Sequence, residues 1–507
     1  MKILDGISLR IEDVVAISRD HEPAQLSDPA IERMERSQQF VQELLHSDTT
    51  VYGVNTGFGS LVSDKISINE VNALQLNLIR SHSCGVGDPL PLEIVRAMML
   101  LRVNSLARGF SGIRPRVVQL LLHMLNTKIH PIVPSRGSIG ASGDLIPLAH
   151  IARCLIGEGT VEYHGSTMTA KDAFHHEHLD SMTLTAKEGL ALINGTQLMS
   201  ALGCFSVFEA DQLLLHAQIA GAMSLEALKG TNQAFRAEIH SLRPHPGQVA
   251  CAENLWRLTQ HSQIMQSHKD CTKIQDAYSL RCMPQVFGAS KDVFTYVRNL
   301  LSIEINAVTD NPVLISDTKE SISGGNFHGQ PIAFALDFLA IALAEIGSIS
   351  ERRIARLIDT NLSGLPAFLT AHHGLHSGLM LLQYAAAALV NENKILCHPN
   401  SCDSIPSSAN KEDHVSMGAN AGLKLRQIIS NVRTIIAIEL IAASQALEFI
   451  KPLQPSPPLQ RSYELIRSKV PALVEDRSLE TDIKTIEQLI QSNRIVQIVT
   501  SLIGPLS

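Results

Sequence analysis

Gly137-Ser138-Ile139-Gly140-Ala141-Ser142-Gly143-Asp144-Leu145 is the stretch from which the rest of this 507-residue chain is read. Three glycines and two serines crowd a segment that runs into an apolar helical pattern, Leu145-Ile146-Pro147-Leu148-Ala149-His150-Ile151-Ala152, so a turn delivers the chain into a helix here. Two common loop chemistries do not fit. A phosphate loop needs Gly-x4-Gly-Lys-Ser/Thr and a dinucleotide fingerprint needs Gly-x-Gly-x-x-Gly, whereas these glycines fall at 137, 140 and 143. A nucleophile elbow, Gly-x-Ser-x-Gly, needs one more residue between Ser142 and Gly143. What is left is Ala-Ser-Gly at a turn. If the turn presses the nitrogen of Gly143 against the carbonyl carbon of Ala141, a five-membered ring closes with loss of water, because neither flanking residue carries blocking bulk. Loss of the Ser142 hydroxyl as a second water then gives an exocyclic methylidene, an electrophile that no side chain supplies. The plainer alternative is a helix-capping turn with Asp144 in the first turn.

Composition narrows the function classes. The hydrophobic share is 45%, enough for a large core and for more than one core unit, and only 4% is aromatic. The net charge of -7 leaves no basic footprint for nucleic acid. The N-terminus meets Asp5, Glu12 and Asp13 with no apolar run between, which reads as no signal peptide and a cytoplasmic protein. The richest apolar stretches, 331 to 345 and 432 to 449, are interrupted by Asp337, Arg433 and Glu439, and none is read as a membrane span. Eight cysteines, at 84, 154, 204, 251, 271, 282, 397 and 402, form no Cys-x-x-Cys pair and are expected to be reduced, buried small hydrophobes. His175-His176-Glu177-His178 and His372-His373-x-x-His376 match no standard ligand motif, so no metal is assigned.

Along the chain, residues 1 to about 200 alternate short apolar elements with turn signals such as Tyr52-Gly53-Val54-Asn55-Thr56-Gly57-Phe58-Gly59, a mixed domain of helices and loops. After Asn194-Gly195-Thr196 the texture changes. Segments 201 to 229, 290 to 309, 331 to 359, 374 to 396 and 419 to 450 are rich in Ala, Leu and Ile with few charges, and several hold helical spacing for twenty residues or more. The last would span about 48 Å as one helix. Helices this long imply a bundle, and faces this poor in charge imply cover by other subunits, hence a homo-oligomer. The proline run Lys451-Pro452-Leu453-Gln454-Pro455-Ser456-Pro457-Pro458 stops the last long helix. Helical patterns at 462 to 476 and 479 to 503 finish the chain. The expected division is therefore 1–200, a mixed domain carrying the Ala-Ser-Gly triad; 201–450, a long-helix bundle and oligomer core; and 451–507, a small helical unit.

The triad followed by Asp resembles the aromatic amino acid ammonia-lyase and aminomutase family. That family's self-made methylidene-imidazolone cofactor (MIO) forms from Ala-Ser-Gly, so the resemblance makes Ala141, Ser142 and Gly143 its precursors. Further motifs of the family occur in its order: Tyr52 in the stretch quoted above, Asn194 in Ala-Leu-Ile-Asn-Gly-Thr, Gln275, Tyr278 and Arg281 in Gln-Asp-Ala-Tyr-Ser-Leu-Arg-Cys, Phe327 in Gly-Gly-Asn-Phe-His-Gly, and Glu412 in Ser-Ser-Ala-Asn-Lys-Glu-Asp-His-Val-Ser-Met-Gly. Singly, each reads as a turn, helix face, core or solvated loop; jointly and in order they do not arise by chance. The resemblance implies a mainly α fold of fumarase/aspartase-like architecture. It also implies a homotetramer whose active sites mix residues of different chains.

The chemistry explains the set. Eliminating ammonia from an amino acid asks an amine to leave and a weakly acidic β-proton to come off, and acid/base side chains alone do neither well. An electrophile activates the amine. Tyr52 is then the base for the β-proton, and Arg281 offers a planar fork to the substrate carboxylate. Tyr278 and Asn194 are expected to donate hydrogen bonds where negative charge builds on the substrate and the ring carbonyl, with helix N-termini near Asp144 adding a positive field. Within the family the pair Ser81-His82 is similar to histidine-specific members and to some tyrosine-specific ones. Glu412 separates them, because a carboxylate pairs with an imidazole and is costly beside a neutral phenyl ring. His398-Pro399-Asn400-Ser401-Cys402-Asp403-Ser404-Ile405-Pro406 also looks like the histidine-specific branch. The expected substrate is L-histidine, the product trans-urocanate; the alternative is a tyrosine or phenylalanine lyase or a 2,3-aminomutase.

Overall fold

The computed structural model describes the chain except for residues 48–49, 58–65, 269 and 271–272, so Phe58, Gly59 and Cys271 lie outside the described residues. The fold is mainly α-helical. Long helices run through Gln197–Ala227, Met283–Glu304, Gln330–Ile358, Met380–Leu396 and Gly418–Glu448; the last, with 31 residues, measures roughly 46 Å. Its neighbour in sequence starts later than the apolar pattern suggests. Gly374 and Gly378 take φ of 99° and 56°, and a Cβ on Gly378 would stand 2.4 Å from the Phe368 carbonyl oxygen, so a turn occupies the positions before Met380.

Two compact units are drawn from interleaved stretches: Met1–Ser206 with Val297–Asp337 and Pro399–Leu423, and Val207–Tyr296 with Phe338–His398 and Lys424–Ser507. This spatial division differs from the sequential one at 200 and 450, because long helices contribute residues to both units. In the first unit, strands among the described residues are short. Thr160–Tyr163 lies antiparallel between Ile129–Pro131 and Ser166–Thr169, Val86–Pro89 pairs with Pro134–Arg136, and Lys2–Leu4 runs parallel to Ala24–Leu26. The helix Leu92–Leu106 is buried on every face from Ile94 onward. Its Arg96 turns that burial to use: the guanidinium donates to the carbonyls of Ile17 and Ser18 at the end of one helix, at 2.7 and 2.9 Å, and to Leu125 at the end of another, at 2.8 Å. Terminal carbonyls that no intrahelical N–H reaches are satisfied this way.

The second unit is held by a fully buried pair. Glu439 accepts from Arg353 Nε and Nη2 at 2.5 and 2.7 Å and from the hydroxyls of Ser224 and Ser350 at 2.7 and 2.5 Å. Removing one partner would strand a charge and cost about 3 to 5 kcal/mol. At the C-terminus the pattern expected as one helix over 479 to 503 is two, Glu480–Gln491 and Arg494–Ile503, because Asn493 takes a left-handed φ of 56°, which asparagine tolerates. The preceding helix runs Pro457–Arg467 rather than 462 to 476. The prolines that end one helix open the next, where their missing N–H costs nothing.

Two sequence expectations need correction. Three helices, Gln197–Ala227, Gln330–Ile358 and Gly418–Glu448, are long and apolar enough to cross a membrane, despite the interrupting charges. Their apolar windows are 78%, 67% and 72% buried inside the chain, so the apolarity serves packing. The charges are spent internally, Glu209 against Arg426 and Arg433 and Asp337 on the backbone N–H groups of Asn400 and Ser401. Of the described cysteines only Cys154, Cys204 and Cys251 are buried; Cys282 and Cys397 are half-buried, and Cys84 and Cys402 are exposed. Those last four sit in loops or at helix ends, where no apolar face encloses them.

Candidate active site

The 137–144 turn is a cradle that only glycine fits. Gly140 and Gly143 take φ of 80° and 79° and Ser142 itself takes 53°, a region costly for a residue with a Cβ. A Cβ on Gly143 would stand 2.1 Å from the Gly195 carbonyl oxygen, and one on Gly140 would stand 2.2 Å from Ser416 Oγ. The Gly195 backbone N–H donates to the Ser142 carbonyl at 3.2 Å, and the Asp144 N–H donates to the Gly195 carbonyl at 2.7 Å. The Gly143 N–H reaches only Gly140 O, at a long 3.4 Å, while Met417 N–H ties down Ile139 O at 3.0 Å. Ser142 is half-buried between these buried neighbours, so its side chain stays approachable while its backbone is clamped.

Asp144 anchors the turn without capping the helix it precedes, Leu145–Leu155. Oδ1 accepts from the Ser138 hydroxyl at 2.9 Å. Oδ2 accepts from the N–H groups of Leu198 and Met199 at 2.9 and 3.0 Å, in the first turn of Gln197–Ala227, where the helix field favours an anion. Full burial nevertheless pushes this carboxyl up to about 6, with Met199 N–H, Ser138 and Leu198 N–H pulling the other way. The expected helix N-terminus is therefore present, and it grips Asp144.

Beside the cradle, Asn194 donates through Nδ2 to Asp310 Oδ1 at 3.1 Å and to the Asn311 carbonyl at 3.2 Å. Asp310 Oδ2 takes the ammonium of Lys187 at 2.7 Å, both side chains fully buried. The Asn194 carbonyl accepts from Arg102 at 2.7 Å, and burial lowers that guanidinium to about 10. The sequence expectation made Tyr278 and Asn194 donors to the substrate and the ring carbonyl; the N–H on Ser142 O is the backbone of Gly195, which no side-chain motif announces. Arg102, Lys187 and Asp310 were missed too; each lies in an otherwise apolar or loop stretch, and only the fold joins them.

Across the same unit, His82 and Glu412 come close enough to interact. Burial lowers the His82 pKa, while the Leu78 carbonyl and the Glu412 charge raise it. Glu412 is half-buried and held by Ser407: the two backbones exchange hydrogen bonds at 3.0 and 3.3 Å, and the Ser407 hydroxyl donates to Glu412 Oε2 at 2.7 Å. Tyr52 and Phe327 are half-buried in this unit. Gln275, Tyr278 and Arg281 belong to the second unit. There Arg281 lies 4.7 Å over the Tyr278 ring and its Nε donates to the Asp276 carbonyl at 3.0 Å. Tyr278 is 72% exposed and the neighbouring Ile274 96%. Among the described residues no three His, Cys, Asp or Glu side chains gather as metal ligands; Glu177 accepts from Tyr163 and His376 faces Asp476.

The aromatic amino acid lyase family profile matches residues 9–468. The chain belongs to that family. Its fold class is that family's mainly helical, fumarase-like one. The histidine ammonia-lyase of Caldanaerobacter subterraneus subsp. tengcongensis is 49% identical over 496 residues, covering 98% of this chain and 97% of the relative. The crystal structure of histidine ammonia-lyase from Trypanosoma cruzi superposes with a TM-score of 0.92 at 42% identity, covering 100% of this chain and 96% of that one. Tyrosine aminomutase from Streptomyces globisporus superposes with a TM-score of 0.94 at 36% identity, covering 99% and 98%. An aromatic amino acid lyase with this architecture thus has neighbours of two chemistries, and the side chains around the cradle must distinguish them.

Proposed function

We propose that the chain is a histidine ammonia-lyase, eliminating ammonia from L-histidine to give trans-urocanate, and that it works as a cytoplasmic homotetramer. The observation that carries the reaction is the Ser142 turn: an Ala-Ser-Gly sequence bent to left-handed φ, closed against Gly195, with the Gly143 nitrogen only loosely bonded. Those residues fit a methylidene-imidazolone formed from Ala141, Ser142 and Gly143 by bonding Gly143 N to the Ala141 carbonyl carbon with loss of two waters. That group supplies the electrophile that makes the amine a leaving group.

The remaining work falls to ordinary side chains. The Gly195 N–H holds the Ser142 oxygen where negative charge grows, a preorganised donor of the oxyanion-hole kind. Tyr52 takes the β-proton on its phenol oxygen, and Phe327 packs against the substrate ring. Glu412, fixed by Ser407 and close to His82, pairs with the imidazole, which supports histidine over tyrosine. Arg281 forks the carboxylate and Tyr278 donates to the reacting substrate, with Gln275 beside them. The exposure of Gln275 and Tyr278 in the single chain supports delivery into a site of a neighbouring subunit. So do the apolar side chains on the surface of the long helices, among them Ile341, Leu381 and Ile395.

The test is turnover. Purified protein is incubated with L-histidine, L-tyrosine and L-phenylalanine, following the ultraviolet absorbance of the conjugated acid and the ammonia released, with chromatography for any β-amino acid. The highest kcat/KM is expected on histidine with no β-amino acid; a higher value on tyrosine overturns the assignment.

A further inference from the structure

The amide of Asn194 is locked in one orientation. An asparagine side chain offers two donors at Nδ2 and an acceptor at Oδ1, and which end faces which neighbour follows from the neighbours' own chemistry. Here both neighbours only accept: Asp310 Oδ1 at 3.1 Å and the Asn311 carbonyl at 3.2 Å. Asp310 has no freedom to change this. Its Oδ2 holds Lys187 at 2.7 Å, and its Oδ1 also takes the Asn311 N–H at 2.7 Å. A reversed Asn194 amide would set oxygen against a carboxylate and a carbonyl, two acceptors facing a third. Nδ2 is therefore fully spent on the protein, and Oδ1, buried, has no hydrogen-bond partner among the described residues. A buried acceptor without a donor is costly unless something bound supplies one. It is anchored one residue from Gly195, whose N–H holds the Ser142 carbonyl.

Besides its side chain, which in histidine is taken by Glu412 on the reading above, an amino acid brings two polar groups to such a place. Its carboxylate only accepts and repels Oδ1; its α-amino group, neutral or charged, donates. We propose that Asn194 Oδ1 receives an N–H of the substrate's α-amino group and that Asp310, pinned by Lys187, is the positioning residue that aims it. Asn194 then holds the leaving group, a role distinct from the donor role expected from sequence. This assignment rests on the amino acid lyase reading above.

The test separates the two ends of the substrate. Equilibrium binding of histamine, which keeps the amine and lacks the carboxylate, and of imidazolepropionate, which keeps the carboxylate and lacks the amine, is measured on the intact enzyme and on Asn194→Ala. This substitution leaves Asp310 with Lys187 and the Asn311 N–H, so its fold is kept, checked by thermal melting. Histamine is expected to weaken roughly tenfold or more and imidazolepropionate to change less than about twofold. In Asp310→Asn the carboxylate that pins the Asn194 amide becomes neutral, so Nδ2 keeps the Asn311 carbonyl but loses its charged anchor, and Oδ1 is aimed less firmly. Histamine weakens again, by less than in Asn194→Ala, while imidazolepropionate changes less than about twofold, a divergence that a merely structural role does not produce. Equal losses of both probes, or a selective loss of imidazolepropionate, overturn the proposal. If the unmutated enzyme binds neither probe but binds phenethylamine and 3-phenylpropanoate, the histidine reading fails and the phenyl pair carries the same test. Binding of neither pair overturns both.

Discussion

The turn at 137–144 and the stretch 275–281, which the proposed function brings to the same chemistry, are built in opposite ways. The first is clamped from all sides inside one unit: Gly195 on Gly143, the first turn of Gln197–Ala227 on Asp144, Met417 on Ile139. The second is held more loosely among the described residues, with the Ser279 carbonyl taking Arg353 Nη1 at a long 3.4 Å. Arg281 rests on Tyr278 and on the Asp276 carbonyl, and Asp276 Oδ2 accepts from the Thr231 N–H at 2.7 Å, yet Tyr278 stands largely in the open. The contrast follows from what each must do. A segment that performs chemistry on its own backbone needs its reacting atoms compressed by a rigid shell. A segment that grips a substrate needs only a prefolded shape and a surface to meet. On the proposed reading, the chain completes the first by itself and leaves the second to be completed by a neighbouring subunit.

The largest effect expected tests the clamped region. Ser142→Ala removes the hydroxyl that must leave, so kcat should fall by roughly a thousandfold or more while the melting temperature stays near that of the parent, since the alanine keeps the backbone bonds to Gly195. Retained turnover would move the chemistry away from the turn. The open region is tested by mixing. Chains carrying Ser142→Ala and chains carrying Tyr278→Phe, each nearly inactive, are denatured and refolded together; if a site takes Ser142 and Tyr278 from different chains, about a quarter of the sites regain both. A mixture no more active than its parents shows that one chain supplies both residues.

Glu412→Gln should have a smaller effect. The glutamine keeps an oxygen for Ser407 but loses the charge, so kcat/KM on histidine should drop roughly tenfold to a hundredfold, the span of a charge-assisted hydrogen bond. Turnover of tyrosine should fall less. Equal losses on both substrates would make Glu412 structural.

The last effect is on stability and leaves turnover aside. Asp144 is held at about 6 against 3.8 for an exposed aspartate, so the folded chain binds a proton that the unfolded chain has released. The resulting stabilisation is complete below pH 3.8, fades as pH rises through 6, and amounts to roughly 3 kcal/mol across the window. Comparing unfolding free energies of the parent and Asp144→Asn between pH 4 and 7 should show the parent losing stability relative to the variant as pH rises. Parallel curves would mean that Asp144 is ionised throughout.

How much of this was legible before the fold was known depended on what kind of signal each part leaves. The long helices announce themselves because their apolar residues recur at helical spacing for many turns. Their ends do not: the break at Asn493 depends on one left-handed residue, and Pro457 both follows one helix and starts another. The residues named by motif were legible as identities, but their neighbours were not. Nothing in the sequence places the Gly195 N–H on Ser142 O, since every residue but proline carries an N–H. Nor does it join Lys187 to Asp310, 123 positions away, because two charges so far apart form no pattern until the chain folds. The exposure of Tyr278 was equally hidden, as its motif reads like any amphipathic helix face.

The central claim is that the 137–144 cradle turns its own Ala141-Ser142-Gly143 into an electrophile. The direct measurement is the intact mass of the purified, active chain. The account predicts a mass lower than that of the sequence by two waters, with Ser142→Ala recovering one or both. A chain that turns over histidine at its full, unmodified mass would contradict it.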